Sequence, residues 1–335
     1  MFMVRCERAG VSGAAVQRQV SALHTLVRRS IPVLLVIGLP FFFVGGPGFY
    51  SARSRVHLWD LGHILYFGLF TLWLTGLASD WQAALSRGRR LALLVLLPFV
   101  AGLIIECLQF AVNGRRPGMD DLFRNTLGIL LVLVFQCWPL QESRQRLCLG
   151  VLRAASLVLL CCALWPLFRS VRDEDRAWRE FPVLADFESK GELSRWYHAN
   201  QLRQEKGIVR HGSCSARVQL STARISGVTL LHFPHDWHGY RWLRFSVYNP
   251  LNGPLELNCR LDDSRHRRTH GPYSDRFNTQ LVLRPGWNDL AIDLEEAEKA
   301  PKGRRMDMSH IAGFSLFVVQ QKAPLALFLD HVHLN

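Results

Sequence analysis

The sequence predicts two parts in series: a membrane α-helical bundle of about five transmembrane helices, then an all-β sandwich of the jelly-roll kind. Three observations predict this. Apolar runs of bilayer-spanning length crowd residues 1–168. Beyond them the hydrophobic period falls from helical to two, with turn signals at short intervals. The few ionisable residues inside the apolar runs recur at helical spacing, whereas the charges of the second half are scattered.

Residues 1–30 form a basic N-terminal segment, and five apolar runs follow at about 31–50, 57–78, 90–112, 119–140 and 147–168. Each reaches the roughly 17–25 residues that a membrane-crossing helix needs. The first run follows Arg28-Arg29, contains Pro40 and shows no small-x-small cleavage site, so it reads as a retained span and not a removable signal peptide. Arg153 lies near the start of the fifth, where a long side chain snorkels to the surface.

The 335 residues carry 40 Lys and Arg against 27 Asp and Glu, a net charge of +13. In a soluble protein that excess points to nucleic acid. Here much of it is arginine beside the apolar runs, where it orients spans, so no nucleic-acid partner is expected. With the N-terminus inside, ten arginines fall on the inner segments and five on the short outer loops. That asymmetry predicts a multi-pass protein of a bacterial inner membrane, with a cytoplasmic N-terminus and residues 184–335 exported.

Ionisable groups within spans cost about 2.5–3.5 kcal/mol or more, and usually mark function. Asp60 and His63 open the second run, Glu106 and Gln109 close the third, and Asp120, Asp121 and Asn125 open the fourth. The predicted topology puts all of them at the outer leaflet. Asp60/His63 and Glu106/Gln109 are i,i+3 pairs and Asp121/Asn125 is an i,i+4 pair, so each pair shares a helix face. Three helices would aim these faces into one pocket, or bond one another and hold the bundle together.

The blocks DLGHILYFGLF (60–70), ECLQF (106–110) and DDLFRNTLG (120–128) resemble, together and in order, the signature blocks of the VanZ-like family. The likeness covers about residues 30–140. The family takes its name from a protein linked to low-level resistance to teicoplanin. The resemblance implies a small multi-span protein of the bacterial cell envelope and supplies no reaction. Its polar positions correspond to Asp60, His63, Glu106, Gln109, Asp120, Asp121, Asn125 and Gly128.

Residues 169–183 read as a charged linker. From 184 the alternation begins: Leu243, Phe245 and Val247 alternate with Arg244, Ser246 and Tyr248, and Leu255, Leu257, Cys259 and Leu261 with Glu256, Asn258 and Arg260. Half-buried strands produce this pattern. NPLNGP, RPGWND and HGPYSD supply the turns. The layout ADFES, DWHGYRWLRFSVYNP, YSDRFN, PGWNDLAIDL and LFLDHVHL resembles carbohydrate-binding jelly rolls of the galactose-binding-like class.

A sugar site needs aromatic faces and polar groups for hydroxyls. Trp237, Tyr240, Asp262, Asp263, Tyr273, Asp275, Arg276 and Asn278 supply both. The basic run RHRRTH (265–270) suits an anionic polymer better than a neutral one. A structural Ca²⁺, common near the paired termini of jelly rolls, would take carboxylate oxygens from Asp186 or Glu188 with Asp330; no other cofactor is expected. His232, His235 and His238 with Asp236 read poorly as a zinc set, because Pro234 interrupts them. Cys214 and Cys259 sit on the apolar phase of their strands, as buried thiols or one disulfide.

Two functions follow. In the first, a membrane bundle anchors an exported sandwich that binds a surface glycan or envelope polymer, with an effect on glycopeptide sensitivity implied by the family resemblance. In the second, the intramembrane cluster acts on a lipid-linked envelope precursor: Glu106 or Asp121 as base, His63 as acid or base, and Arg115 and Arg116 on a phosphate. The partners are then the lipid bilayer and either a glycan, an anionic polymer or the precursor.

Overall fold

The computed structural model describes residues 29–48, 51–78, 85–111, 118–136, 142–198 and 201–335. The chain divides into two compact units: Met1–Gly48 with Arg55–Pro166, and Phe49–Ser54 with Leu167–Asn335.

The first unit is helical. An apolar helix α1 (Arg29–Phe42) tightens to a 3-10 turn at Leu39–Phe42, where Pro40 removes a backbone donor. It is followed by α2 (Arg53–Ala78), α3 (Arg87–Gln109), α4 (Met119–Phe135) and α5 (Ser143–Glu180). Ser86 caps α3 by accepting from the Arg89 amide at 3.5 Å. Phe42, Phe67, Leu74, Leu94, Ile105, Ile129 and Leu133 form the core. At the crossing of α2 and α4 a Cβ on Gly128 would lie 2.4 Å from the Ile64 carbonyl oxygen, so only glycine allows this approach.

Of the five expected spans, two helices among the described residues, α3 and α5, are long and apolar enough to cross a membrane. Of the others, α4 has 17 residues and α1 is shorter still, while α2 carries Arg53, Arg55, His57 and Asp60 in its first turns. The charged run 169–180, expected as a linker, is the end of α5. Pairs at i,i+4, Arg176 with Glu180 and Arg179 with Asp175, support helix there.

The second unit is an all-β sandwich with every strand pair antiparallel. Its strands are β1 (Val183–Ala185), β2 (Trp196–Tyr197), β3 (Leu202–Glu205), β4 (Ser215–Leu220), β5 (Ile225–Leu230), β6 (Trp242–Asn249), β7 (Leu255–Asp263), β8 (Phe277–Leu283), β9 (Gly286–Asp293), β10 (Ile311–Val319) and β11 (Leu325–Leu334), with short helices α6 (Ser264–Thr269) and α7 (Leu294–Lys299). One sheet has the order β3-β4-β11-β6-β9 with β1 also on β11; the other has the order β2-β5-β10-β7-β8. The alternation seen in the sequence fills the layer between them: Leu243, Phe245 and Val247 from one sheet meet Leu257, Leu261, Phe314 and Leu316 from the other. Cys214 and Cys259 are buried free thiols.

Candidate functional site

The outer face of the five-stranded sheet is built by register. Tyr197 on β2, Thr229 on β5, Ser315 on β10, Arg260 on β7 and Asn278 on β8 lie in one row across it. Gly227, Phe317, Asn258 and Gln280 form the next row. Small residues keep the centre low, with Thr229 Oγ1 and Ser315 Oγ bonded at 2.9 Å. Tyr273 and Arg276, from the segment before β8, and Arg224, from the turn before β5, raise the rim. The result is a groove of about 650 Å³.

Its chemistry is aromatic and cationic. Tyr273 is 69% exposed and Tyr197 45% exposed. The Arg276 guanidinium lies 5.2 Å from the centre of the Tyr273 ring, and its Nε donates to Asn278 Oδ1 at 3.2 Å. Arg224, Arg260, Arg267 and Arg276 line the groove, and no Asp or Glu does among the described residues.

Of the expected sugar-binding residues, Tyr273, Arg276 and Asn278 therefore come together. The carboxylates do not join them. Asp262 is 1% exposed and pairs with Arg260 at 3.3 Å and with Arg267. Asp263 is fully buried, caps α6 through the His266 amide at 2.8 Å and accepts from Arg304 Nη2 at 3.0 Å. Asp275 accepts from the same Arg304 nitrogen at 3.0 Å, and those bonds hold its carboxyl below the usual range. These three carboxylates fix the wall and its arginines. Trp237 is a core residue, fully buried with Nε1 donating to the Pro234 carbonyl at 3.1 Å, and offers no face to a sugar. Tyr240 packs against the core and edge-on to Phe181. Tyr197, Arg224, Arg260 and Phe317 were not among the residues singled out in the sequence. They meet only through strand pairing, which a single strand does not reveal.

Each of the expected calcium ligands spends one carboxylate oxygen on backbone amides, and Asp330 keeps its buried Oδ1 without a hydrogen bond. Glu188 Oε1 accepts from the amides of Ser213 (2.6 Å) and Cys214 (3.0 Å), and Asp330 Oδ2 from those of Arg210 (2.7 Å) and His211 (3.0 Å). Asp186 Oδ1 accepts from the Glu188 amide at 3.2 Å. Among the described residues these three do not form a cluster of metal-ligating atoms.

In the helical unit the polar set does converge. His63 on α2 bonds Asn125 Oδ1 on α4 through Nδ1 at 2.9 Å, and its Nε2 stands 3.8 Å from Asp121 Oδ1. Glu106 on α3 brings its carboxylate to the same point. His63, Glu106, Gln109 and Asn125 are all buried. Arg124, not predicted as a member, pairs with Asp121 at 2.7 Å and with Asp60 at 3.5 Å. Gln109 instead donates to the Phe42 carbonyl at 2.8 Å and ties α3 to α1. Asp120 is exposed on the first turn of α4, outside the cluster. Arg115 and Arg116 lie outside the described residues. Beside His63 opens an apolar cavity of about 620 Å³, walled by Phe41, Phe42, Trp59 and Tyr66 among others.

No family model matches the chain, and no curated protein matches it. Among solved structures it is similar to a family 11 carbohydrate-binding module from Clostridium thermocellum, at 14% identity over 45% of this chain and 93% of that one, with a TM-score of 0.32. It is also similar to a family 30 carbohydrate-binding module of a C. thermocellum cellulosomal cellulase, at 18% identity over 40% and 82% of the two chains, with a TM-score of 0.33. An exo-beta-agarase matches at 14% identity over 46% of this chain, with a TM-score of 0.35, and the chain spans about a quarter of that enzyme's length.

Proposed function

We propose that the sandwich binds a glycan along the outer face of its five-stranded sheet, and that the glycan is anionic. The groove carries the reading: Tyr197, Tyr273 and Phe317 offer apolar faces for sugar rings, Asn258 and Ser315 offer polar partners, and four guanidiniums line it, of which Arg260 and Arg267 are paired with Asp262 behind the wall. Arginine forks bind carboxylates and sulfates in two-point geometry. The test is affinity electrophoresis of the full chain in detergent micelles, through gels holding polygalacturonate, alginate or neutral β-glucan. Retardation by the acidic polymers that Tyr273→Ala with Phe317→Ala abolishes supports the reading. Equal mobility in every gel sinks it.

The helical unit is, in this proposal, a VanZ-like module in the inner membrane of a bacterium, with the sandwich exported. Two features support it. The three sequence blocks that carry the resemblance converge on one cluster, and α3 exposes Leu91, Val95, Leu96, Leu97, Val100, Leu103, Ile104 and Leu108, an apolar belt that lipid would cover. Extraction of the chain by carbonate alone, without detergent, would refute a membrane location. An effect on teicoplanin sensitivity follows from the resemblance and is read directly by comparing a deletion strain with its parent.

A second reading is favoured by the cavity beside His63. An apolar chamber next to a buried imidazole and two carboxylates suits a lipid-linked precursor, with His63 and Glu106 moving protons. A wild-type envelope phenotype from His63→Ala and Glu106→Gln chains would remove it.

A further inference from the structure

We infer that His63, Glu106 and Asp121 form a site for one divalent transition cation, of which Zn²⁺ is the natural probe. One ligand atom from each lies within 4.8 Å of the other two, and the three come from three different helices. The mix of one imidazole and two carboxylates is a donor set that zinc and its neighbours accept.

The orientation of His63 is a second and separate observation. A carbonyl oxygen only accepts, so the 2.9 Å contact with Asn125 Oδ1 requires the proton on Nδ1. The ring thereby turns its other nitrogen, Nε2, toward Asp121 Oδ1, 3.8 Å away. At that distance the two share no hydrogen bond. Two ligands held ~2.0–2.2 Å from one zinc at the tetrahedral angle stand roughly 3.3–3.6 Å apart, so the His63–Asp121 pair needs to close by a few tenths of an ångström, and Glu106 closes from within 4.8 Å. A metal-bound histidine nearly always donates its other nitrogen to a fixed acceptor, and Asn125, fully buried, is placed for that role. Arg124 Nη1 donates at 2.7 Å to the same Asp121 oxygen, so the metal would share that oxygen with the arginine or take Oδ2. Of the three ligands, His63 also lines the apolar cavity beside it.

The test uses the full chain in detergent, stripped with a chelator and titrated with Zn²⁺ alone. Calorimetry and metal analysis should find a site that His63→Ala and Glu106→Gln each weaken about 100-fold or more, that Glu106→Asp retains in part, and that Asn125→Ala weakens about 10–100-fold. Zn²⁺ should also raise the melting temperature of the wild type and leave that of Glu106→Gln unchanged. Histidines of the sandwich that take zinc are separated by this difference between variants. A wild type that binds no Zn²⁺, or variants that bind it as the wild type does, overturns the inference. Because Glu106→Gln is nearly isosteric, a chain that melts normally in chelator but has lost the site is a positive result, and if it fails to fold, Asn125→Ala and Glu106→Asp give the same reading.

Discussion

Gly227 on β5 lies opposite Phe317 on β10 with no room for a side chain: a Cβ there would stand 2.1 Å from the Leu316 carbonyl oxygen and 2.5 Å from the Phe317 Cα. Both contacts are with backbone that pairing holds in place, so neither gives way cheaply. Gly227→Ala should lower the stability of the sandwich by about 1–3 kcal/mol and distort the floor of the groove. Denaturant melts of the full chain, followed by tryptophan fluorescence, measure the first effect. Gly253→Ala, where nothing lies within 4 Å, is the control.

The helical cluster was legible because helix geometry is local: i,i+3 and i,i+4 spacing placed His63, Glu106, Asp121 and Asn125 on faces that meet. Arg124 was not, because as a charge near a helix start it reads as an orienting arginine until its partners Asp60 and Asp121 are seen. The sandwich was legible from alternation, but its groove depends on which strands are neighbours. Arg260 and Tyr197 are far apart in sequence and share a row only through β5 and β10. The acidic pair Asp262-Asp263 looked like ligand chemistry because nothing in the sequence shows Arg267 or Arg304 folding back onto it. Trp237 misled for a similar reason: a loop aromatic reads as exposed until the core closes over it.

Arg195 is 1% exposed and grips Asp173 through Nε at 3.0 Å and Nη2 at 3.1 Å, with Nη1 donating to the Leu184 carbonyl at 3.0 Å. Removing one partner strands a buried charge, so Asp173→Asn should cost about 3–5 kcal/mol. Replacing both, with Asp173→Leu and Arg195→Met, should recover part of that loss, because Arg53 also pairs with Asp173 and loses that partner. Burial opposes ionisation of Asp173, but its bonds with Arg195 hold the carboxyl below the usual range. Its contribution is therefore present above the unfolded value near 3.8 and is lost as pH falls through the depressed one. Acid denaturation of wild type and the double variant should differ only in that window.

His232, His331 and Glu192 carry the largest shifts behind the pH profile of the sandwich from about pH 4 to 7; burial also lowers His235 and raises Asp330. Burial pushes His232 and His331 down to about 4. The unfolded chain then binds protons that the fold does not, so stability falls as pH drops from about 6.5 to 4. Burial, and then the neighbouring Asp186 charge, pushes Glu192 up to about 7. There the fold keeps a proton that the unfolded chain releases, and stability falls as pH rises from about 4.5 to 7. Between about 4.5 and 6.5 the slopes oppose, and His232 and His331, joined by the lowered His235, outweigh Glu192. Melting temperature should rise with pH across that interval. Glu192→Gln should steepen the rise, while His331→Asn should flatten it; Asn tolerates the positive φ of 48° at that position. A wild-type profile that falls between pH 4.5 and 6.5 contradicts the assignment.

The crossing of α2 and α4 at Gly128 sets the distance between His63 and Asn125 without touching either. A Cβ at 128 would meet the Ile64 carbonyl oxygen at 2.4 Å and the Gly68 nitrogen at 3.0 Å, so the helices must part to admit one. His63 precedes Ile64 by one residue, and Asn125 lies one turn before Gly128, so the separation acts directly on their 2.9 Å bond. Gly128→Val should destabilise the bundle by about 1–3 kcal/mol and weaken Zn²⁺ binding as much as Asn125→Ala does, although it removes no ligand. Gly150→Ala on α5, where a Cβ meets nothing within 4 Å, should leave both unchanged or raise stability by up to about 1 kcal/mol. Thermal melts in detergent and zinc titration of the two variants decide the matter: if Gly128→Val binds zinc as the wild type does, the helix crossing does not position His63.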